Sequence, residues 1–177
     1  MIKKIVITSA ILTASTAISF AAGAPYLGVG LGLTNNTSNN ASYRGIPLTL
    51  SGGFGATINQ NIYLAGEIFA NFATSTLNNN VGSVSLKTTY GYGISFIPGV
   101  MLSDHSMTFL RLGLIKTRFS SLDNTATGGQ IGWGLQTGIT QNWDLRGEYV
   151  YSQYSSVSGI GKPGADQFNL GVVYKFV

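Results

Sequence analysis

One histidine stands beside the residue types that a hydrolase uses, in the run Asp104-His105-Ser106. Serine, histidine and a carboxylate activate a nucleophile only when the three side chains converge in space. Adjacent residues on a tight turn point in different directions, so this run argues against a catalytic triad. Because the chain has no cysteine, a single histidine and no acidic cluster, we also expect no metal site and no cofactor.

A glycine run, Gly28-x-Gly30-x-Gly32, has part of the spacing of a nucleotide-binding loop. That chemistry requires a strand before the glycines and a helix after them, so that phosphate meets a helix N-terminus. Here the run lies inside a strand-like pattern with no helix after it. The glycines therefore predict a strand face that keeps an interior narrow.

A third group consists of charged and amide residues on one face of the alternating segments. Each of them is a similar number of residues away from the nearest tight turn. Its members are Glu67, Arg111, Gln136, Arg146 and Glu148. Buried charges are costly unless they are paired, so we predict an ion-pair cluster. Such a cluster acts either as a structural plug or as a gate across a narrow water path. The plug is favoured, because eight strands leave little lumen.

The elements that hold these residues follow from a period of two, which places alternate side chains on opposite faces of a strand. The predicted strands are Tyr26–Thr34, Gly45–Ile58, Ile62–Phe72, Leu86–Leu102, Met107–Phe119, Gly128–Thr140, Trp143–Tyr154 and Asp166–Val177. Long polar loops at 34–44, 73–85, 120–127 and 155–165 alternate with tight turns. Pro47 is expected near a strand start or at a bulge, and Pro98 at a bulge near a strand end. This pattern predicts an all-β fold, an eight-stranded antiparallel up-and-down transmembrane β-barrel.

The first residues have the pattern of a secretory signal peptide: basic Lys3 and Lys4, an apolar stretch Ile5–Ile18, then Ser19-Phe20-Ala21. We predict a signal peptide over residues 1–21 and one barrel domain over 22–177, with cleavage after Ala24 as the alternative. No later apolar run reaches the length of a transmembrane helix. Charged residues are only 9%, and the basic ones are scattered, which excludes a nucleic-acid partner.

Two features favour a membrane barrel over a soluble one. Charges in the strand centres lie on the glycine-rich face, and the opposite face carries none before Lys116 and Arg118, near one end of a strand. Aromatic residues gather at strand ends, which predicts a girdle at each membrane interface. The loop-side girdle is Phe72, Tyr90, Tyr92, Tyr151 and Phe168, and the turn-side girdle is Trp143, Tyr174 and Phe176.

With its signal peptide, eight alternating strands, short turns and aromatic Phe168–Phe176 strand, the chain resembles small outer-membrane barrels of the OmpA/OmpX and opacity-protein type, without a periplasmic domain. The resemblance implies the outer membrane of a Gram-negative bacterium, with termini in the periplasm and four long loops outside the cell. It implies as partners outer-membrane lipid and lipopolysaccharide, the barrel assembly machinery through the C-terminal strand, and a host or surface ligand at the loops. A monomer is expected. Phe176 is penultimate, whereas that family usually ends on the aromatic residue.

A structural, surface-exposed barrel with loops for adhesion or host contact is therefore the leading prediction of function. A narrow porin-like channel is the alternative. Lipid A deacylases and acyltransferases resemble this fold and need a histidine with a serine and an acid. The turn that holds His105 is predicted on the periplasmic side, away from lipid A of the outer leaflet. We therefore predict that the chain is not an enzyme.

Overall fold

Eight antiparallel strands pair in sequence order and close into a barrel. The computed structural model describes residues 23–38, 41–59, 61–80, 88–119, 124–156 and 162–176. The strands are β1 (Gly23–Ser38), β2 (Ala41–Asn59), β3 (Ile62–Asn80), β4 (Thr88–Ser103), β5 (Ser106–Phe119), β6 (Asn124–Gly138), β7 (Trp143–Tyr154) and β8 (Gly164–Lys175). The predicted signal peptide, residues 1–21, lies outside the described residues and stays a prediction.

The ring is closed by the pairing of β1 with β8, which runs from Tyr26 opposite Lys175 to Thr37 opposite Gly164. Peptide groups in lipid find no water to hydrogen-bond, so only a sheet without free edges satisfies all of its strands there. The predicted eight-stranded, all-antiparallel fold is confirmed. Among the described residues, no helix is long and apolar enough to cross a membrane.

The outer surface of the barrel is apolar. In β1, the outward side chains of Leu27, Leu31 and Leu33 are each more than half exposed, and Ile68 of β3 is 66% exposed. Large apolar side chains of all eight strands share this face, and a surface of this kind is stable only against lipid. The alternation therefore has the direction expected of a transmembrane barrel.

The strands at the loop end are longer than predicted. β1 and β2 stay paired through residues 34–38 and 41–44, which were predicted as a loop, as far as Ser38 opposite Ala41. β3 runs to Asn80 and stays paired with β2, although 73–85 was predicted as a loop. Asparagine and serine raise the frequency of turns, but a polar hairpin above the membrane keeps its ladder bonds because the pairing below it fixes the register.

The other strand ends differ by a few residues. β6 begins at Asn124 and β8 at Gly164, both inside predicted loops, whereas the predicted start of β4 at residue 86 lies outside the described residues, which resume at Thr88. β6 ends at Gly138 and β8 at Lys175, each earlier than predicted. Ends are set by pairing with the neighbouring strand, which local composition does not report.

The two strand prolines behave differently. The register of β2 against β3 shifts between Ile46 and Pro47, as expected of a proline at a bulge. The bulge expected near Pro98 is wrong, because Phe96 pairs with Leu112 and Gly99 with Phe109 in one register. Pro98 lacks an amide hydrogen, so it omits a ladder bond without inserting a residue.

We predict that Leu112→Arg lowers the free energy of unfolding in lipid vesicles by about 2–4 kcal/mol, the cost of an arginine on the lipid face near mid-membrane. Leu112 points outward from the middle of β5 and is 45% exposed. The measurement is denaturant unfolding of vesicle-embedded protein, with Leu112→Met as the control that keeps an apolar side chain. An unfolding midpoint of Leu112→Arg equal to that of the control would refute the outward assignment of this residue.

Candidate functional site

The centre of the barrel holds four charged side chains that water hardly reaches. Glu67 comes from β3, Arg111 from β5, and Arg146 and Glu148 from β7, and none is more than 6% exposed. Each lies at an inward position of its strand, between outward apolar or small neighbours. Charges at this depth are tolerated only when each has a counter-charge and hydrogen bonds.

The Glu67 carboxylate is the hub of this group. Its Oε1 accepts a hydrogen bond of 2.7 Å from Arg111 Nη2, and its Oε2 accepts one of 2.6 Å from Arg146 Nη1. The Tyr26 hydroxyl donates to the same Oε2 at 2.9 Å. One carboxylate thus joins two guanidinium groups and three strands besides its own.

Glu148 supplies the second negative charge. Its Oε2 lies 2.9 Å from Arg111 Nη2 and 3.1 Å from Arg111 Nε, so one oxygen accepts from the two nitrogens on one edge of the guanidinium. Its Oε1 accepts from Asn169 Nδ2 at 3.1 Å. Arg111 Nη1 donates to Ser95 Oγ at 3.0 Å, which completes the surroundings of that guanidinium.

Toward the turn end, the network continues through amide and acid side chains. Arg146 Nε donates to Gln136 Oε1 at 2.7 Å, and Gln136 Nε2 donates to Asp144 Oδ2 at 2.6 Å. Lys175 Nζ lies 2.8 Å from Asp144 Oδ1. Because Lys175 is the last residue of β8, this branch ties the hub to the rim of the barrel.

Toward the loop end, the network continues through neutral side chains. Gln167 Nε2 donates to Asn169 Oδ1 at 2.7 Å and to Thr49 Oγ1 at 3.3 Å. Thr49 Oγ1 donates to Asn71 Oδ1 at 3.0 Å. One connected set of polar side chains therefore runs along most of the lumen, with all of its full charges in the middle and at the turn end.

Three aromatic rings cover the guanidinium groups. Arg146 Cζ lies 5.2 Å from the Tyr26 ring centroid and 5.3 Å from that of Phe109, and Arg111 Cζ lies 5.6 Å from that of Phe69. Within this distance a ring face attracts a cation, more strongly where water is excluded. Both arginines therefore have an aromatic ring as well as carboxylates to replace lost solvent.

Each of these rings pairs across the sheet with a glycine. The pairs are Tyr26 with Gly53, Phe69 with Gly93 and Phe109 with Gly134. A Cβ on Gly53 would lie 2.6 Å from Tyr26 Cζ, and one on Gly93 would lie 2.7 Å from Phe69 Cζ. The glycines leave the space in which the rings lie flat against the wall beside the arginines.

The structure places the five predicted interior residues, Glu67, Arg111, Gln136, Arg146 and Glu148, in this network. Sequence reasoning missed Tyr26, Ser95, Asp144, Asn169 and Lys175. Asp144 shares the inward parity of Arg146 two residues away, which was a usable signal. Tyr26 shares the parity of Gly28, but its contact with Glu67 depends on the curvature of the wall.

The eight predicted girdle residues have the outward parity, although β3 continues beyond Phe72 to Asn80 and Phe176 follows the end of β8. Phe72 and Tyr90 are direct neighbours on β3 and β4. At the turn end, Trp143 and Tyr174 meet edge to face with centroids 5.0 Å apart, and Tyr174 meets Phe176 at 4.9 Å. Tyr92, Tyr151 and Phe168 are outward and exposed at the loop end, as is Tyr149, which sequence reasoning left out.

His105 lies in the exposed turn between β4 and β5, at the same end of the barrel as the termini. The neighbouring Ser106 Oγ is bonded to Thr137 Oγ1 at 2.8 Å, and no hydrogen bond joins the imidazole to Asp104 or Ser106 in the part of the chain that the structure describes. Within the same residues, no three His, Cys, Asp or Glu side chains are arranged to hold a metal ion.

Comparison with known proteins gives one family match and several structural matches. The family described as "Outer membrane protein beta-barrel domain" matches residues 6–176. Neisserial surface protein A, NspA, is 18% identical with a TM-score of 0.64, over 86% of this chain and 97% of that one. Ail, the attachment invasion locus protein of Yersinia pestis, is 17% identical with a TM-score of 0.55, over 87% and 99%. No curated protein sequence matches.

We predict that Glu67→Gln, which keeps the side-chain volume, lowers the free energy of unfolding by about 3–5 kcal/mol because it leaves a buried arginine without a counter-charge. Denaturant unfolding in vesicles measures this loss. Adding Arg146→Met should recover part of it, since the remaining Arg111 and Glu148 still pair. Asp166→Asn, at an outward carboxylate that accepts from the Tyr149 hydroxyl, is the control and should cost less than about 1 kcal/mol. Equal losses in Glu67→Gln and the control would contradict a hub role for Glu67.

Proposed function

The chain belongs to the outer membrane protein β-barrel domain family, and from this premise we propose that it displays its loops for adhesion or contact with a host surface. It is an outer-membrane protein with a single closed barrel. The observation that carries the proposal is the interior network centred on Glu67. Because that network occupies the lumen, the loop end is the part of the molecule left to meet other molecules.

In the proposed orientation, the loop end faces outward from the cell and the termini lie in the periplasm. An even number of strands puts β1 and β8 termini at one end, beside the turns at 103–106 and 138–143. In outer-membrane barrels the short turns are periplasmic and the longer loops extracellular. The paired β1–β2 extension and the long β3 support this choice, since both project from the opposite end.

The likeness to NspA and Ail supports surface display, because one is named a surface protein and the other an attachment invasion locus protein. Ail has also been solved with the heparin analogue sucrose octasulfate, at a TM-score of 0.58 to this chain. At 17–18% identity these likenesses rest on the fold, so the proposal takes from them a kind of role and no ligand.

The proposal includes three further partners and assigns no catalytic step. Lipopolysaccharide and other outer-membrane lipids cover the apolar wall, and the barrel assembly machinery engages β8, whose outward residues end in Tyr174 and Phe176. The chain acts as a monomer, because all of its strand edges are paired within the ring.

We predict that an epitope inserted within residues 81–87, between β3 and β4, is stained by antibody on intact cells. The same epitope inserted between Asp104 and His105 should be stained only after the outer membrane is permeabilised. Cells that carry the protein should bind host cells or matrix more than cells that carry a variant with residues 157–161 and 81–87 replaced by short Gly-Ser linkers. Staining of the 104–105 epitope on intact cells would reverse the orientation. Equal binding by both kinds of cell would exclude adhesion through these two loops, and binding no greater than that of cells without the protein would refute adhesion.

A narrow channel is the second candidate, and small cavities in the lumen favour it. A cavity of about 30 Å³ lies beside Arg111, Arg146 and Glu148, which is room for a water molecule. Arg146 Nη2 makes no hydrogen bond with the described residues. A cavity of about 270 Å³ opens at the turn end, beside Tyr26 and Gln136. Tyr26, Glu67, Gln136 and Arg146 form the layer between these two spaces.

The two candidates predict different currents in a planar bilayer. If the network is a plug, wild-type protein passes almost no steady current, and Glu67→Gln raises the conductance because water enters to solvate the arginine that has lost its counter-charge. Asp166→Asn, outside the lumen, should leave the current unchanged. A large steady current through the wild type would make the channel the leading function, and a Glu67→Gln variant as closed as the wild type would remove Glu67 from the barrier.

A further inference from the structure

A groove of about 640 Å³ crosses the lipid-facing wall of the barrel from β1 to β6. Its rims are large apolar side chains, including Leu50, Ile68, Ile94 and Leu114. Most of its lining lies on the outward face of the wall, although Phe69, whose ring lies beside Arg111, also borders it. A membrane-facing surface is covered by lipid, so the question is which lipid the groove fits.

The path of the groove follows the register of the sheet. Two neighbouring rows of outward residues line it: Lys116, Tyr92, Ala70 and Leu50 in one, and Leu114, Ile94, Ile68, Gly52 and Leu27 in the other. Strands of a small barrel are tilted, so such rows run obliquely across the membrane. Lys116 is near the loop-side end of β5 and Leu27 near the turn-side start of β1. The groove therefore descends from the loop-side interface into the apolar belt.

The groove is deep because small residues lie in the middle of both rows. Ala70 lies between Tyr92 and Leu50, and Gly52 lies between Ile68 and Leu27. The larger neighbours stand up on both sides of these two positions. A slender, flexible hydrocarbon chain fits such a trough.

The upper end of the groove is basic and hydroxyl-rich. Lys116 is exposed and makes no ion pair or hydrogen bond with the described residues. Its cross-strand neighbours are Tyr92 on β4 and Thr127 on β6, both exposed on the same face, and Arg118 follows on the same strand and face. A lysine at this height extends its ammonium to the headgroup region.

We propose that this groove is a specific site for lipopolysaccharide, with a phosphate of its headgroup bound at Lys116 and one of its acyl chains lying over Ala70 and Gly52. The charge fits, because the phosphates of this glycolipid lie where its sugar headgroup meets the acyl chains. The apolar trough begins at that same level. The site rests on the proposed orientation, which puts Lys116 in the outer leaflet, and it is independent of adhesion by the loops.

The test compares lipid binding by protein purified from the outer membrane of the expression host, using native mass spectrometry with added lipopolysaccharide or phosphatidylglycerol. We expect Lys116→Gln to weaken lipopolysaccharide binding about fivefold, the effect of one basic residue at an anionic lipid surface. Lys116→Arg should bind as the wild type does. Ala70→Leu, which fills the trough with an apolar side chain, should also bind lipopolysaccharide less. Phosphatidylglycerol binding should fall by less than lipopolysaccharide binding in Lys116→Gln and Ala70→Leu.

Matched controls separate the site from general effects. Gly66→Leu adds the same bulk on the same face of β3, at a position where an added Cβ meets nothing within 4 Å, and Lys162→Gln removes a basic residue outside the wall. Both should bind lipopolysaccharide as the wild type does, and the heat-dependent gel shift of a folded barrel checks every variant. The proposal is overturned if Lys116→Gln and Ala70→Leu bind as their controls do, or if Lys116→Gln loses both lipids equally. Epitope staining of intact cells reports the orientation separately, so failure of the site and failure of the proposed function are told apart.

Discussion

Peptide groups inside a membrane have no water to bind, and most other features of this barrel follow from that fact. Each strand must pair on both edges, so the chain has to bring β8 back to β1. Eight strands form a narrow ring, and side chains from facing walls meet across it. Because lipid surrounds the closed ring, many large apolar side chains of every strand point outward, while a smaller cluster that includes Ile97, Met107 and Phe109 packs inside. The closed wall, the lumen filled with side chains and the apolar outer surface thus all follow from the lack of water for peptide groups in the membrane.

Charged side chains are costly to bury in a narrow lumen, and this chain compensates that cost with a small number of residues. Two acids and two arginines share the centre, and the hub acid bonds to both guanidinium groups. The aromatic–glycine pairs fit rings into a space too small for two ordinary side chains. The inward glycines that face these rings therefore serve the packing of the arginines. The contacts that stabilise the interior are the ones that fill the lumen, so we expect stability and conductance to change together in this interior.

Most of the barrel wall can be predicted from the sequence, because a period of two assigns each strand residue to one of two faces, the lipid-facing one or the interior one. Outward Leu112 and inward Arg111 follow from parity once the charged, glycine-rich face is identified as the inward one, and the interior residues follow from parity combined with the cost of lone charges. The hairpin extension of β1 and β2 and the run of β3 to Asn80 do not, since they depend on pairing between distant segments. The register across Pro98 is also set by its neighbours. The contact of Tyr26 with Glu67 and the oblique groove require the shear of the ring, which parity does not contain.

The bonds of Glu67 reach far along the chain: its partners Tyr26, Arg111 and Arg146 are 41, 44 and 79 residues away. None of these bonds fits within a single hairpin, so each has to wait until the sheet has curled enough to face itself. A sheet that stays open leaves two guanidinium and two carboxylate groups along a trough without counter-charges. The ion pairs of the charged centre are therefore complete only in the closed ring, and they stabilise the barrel only at the last step of assembly.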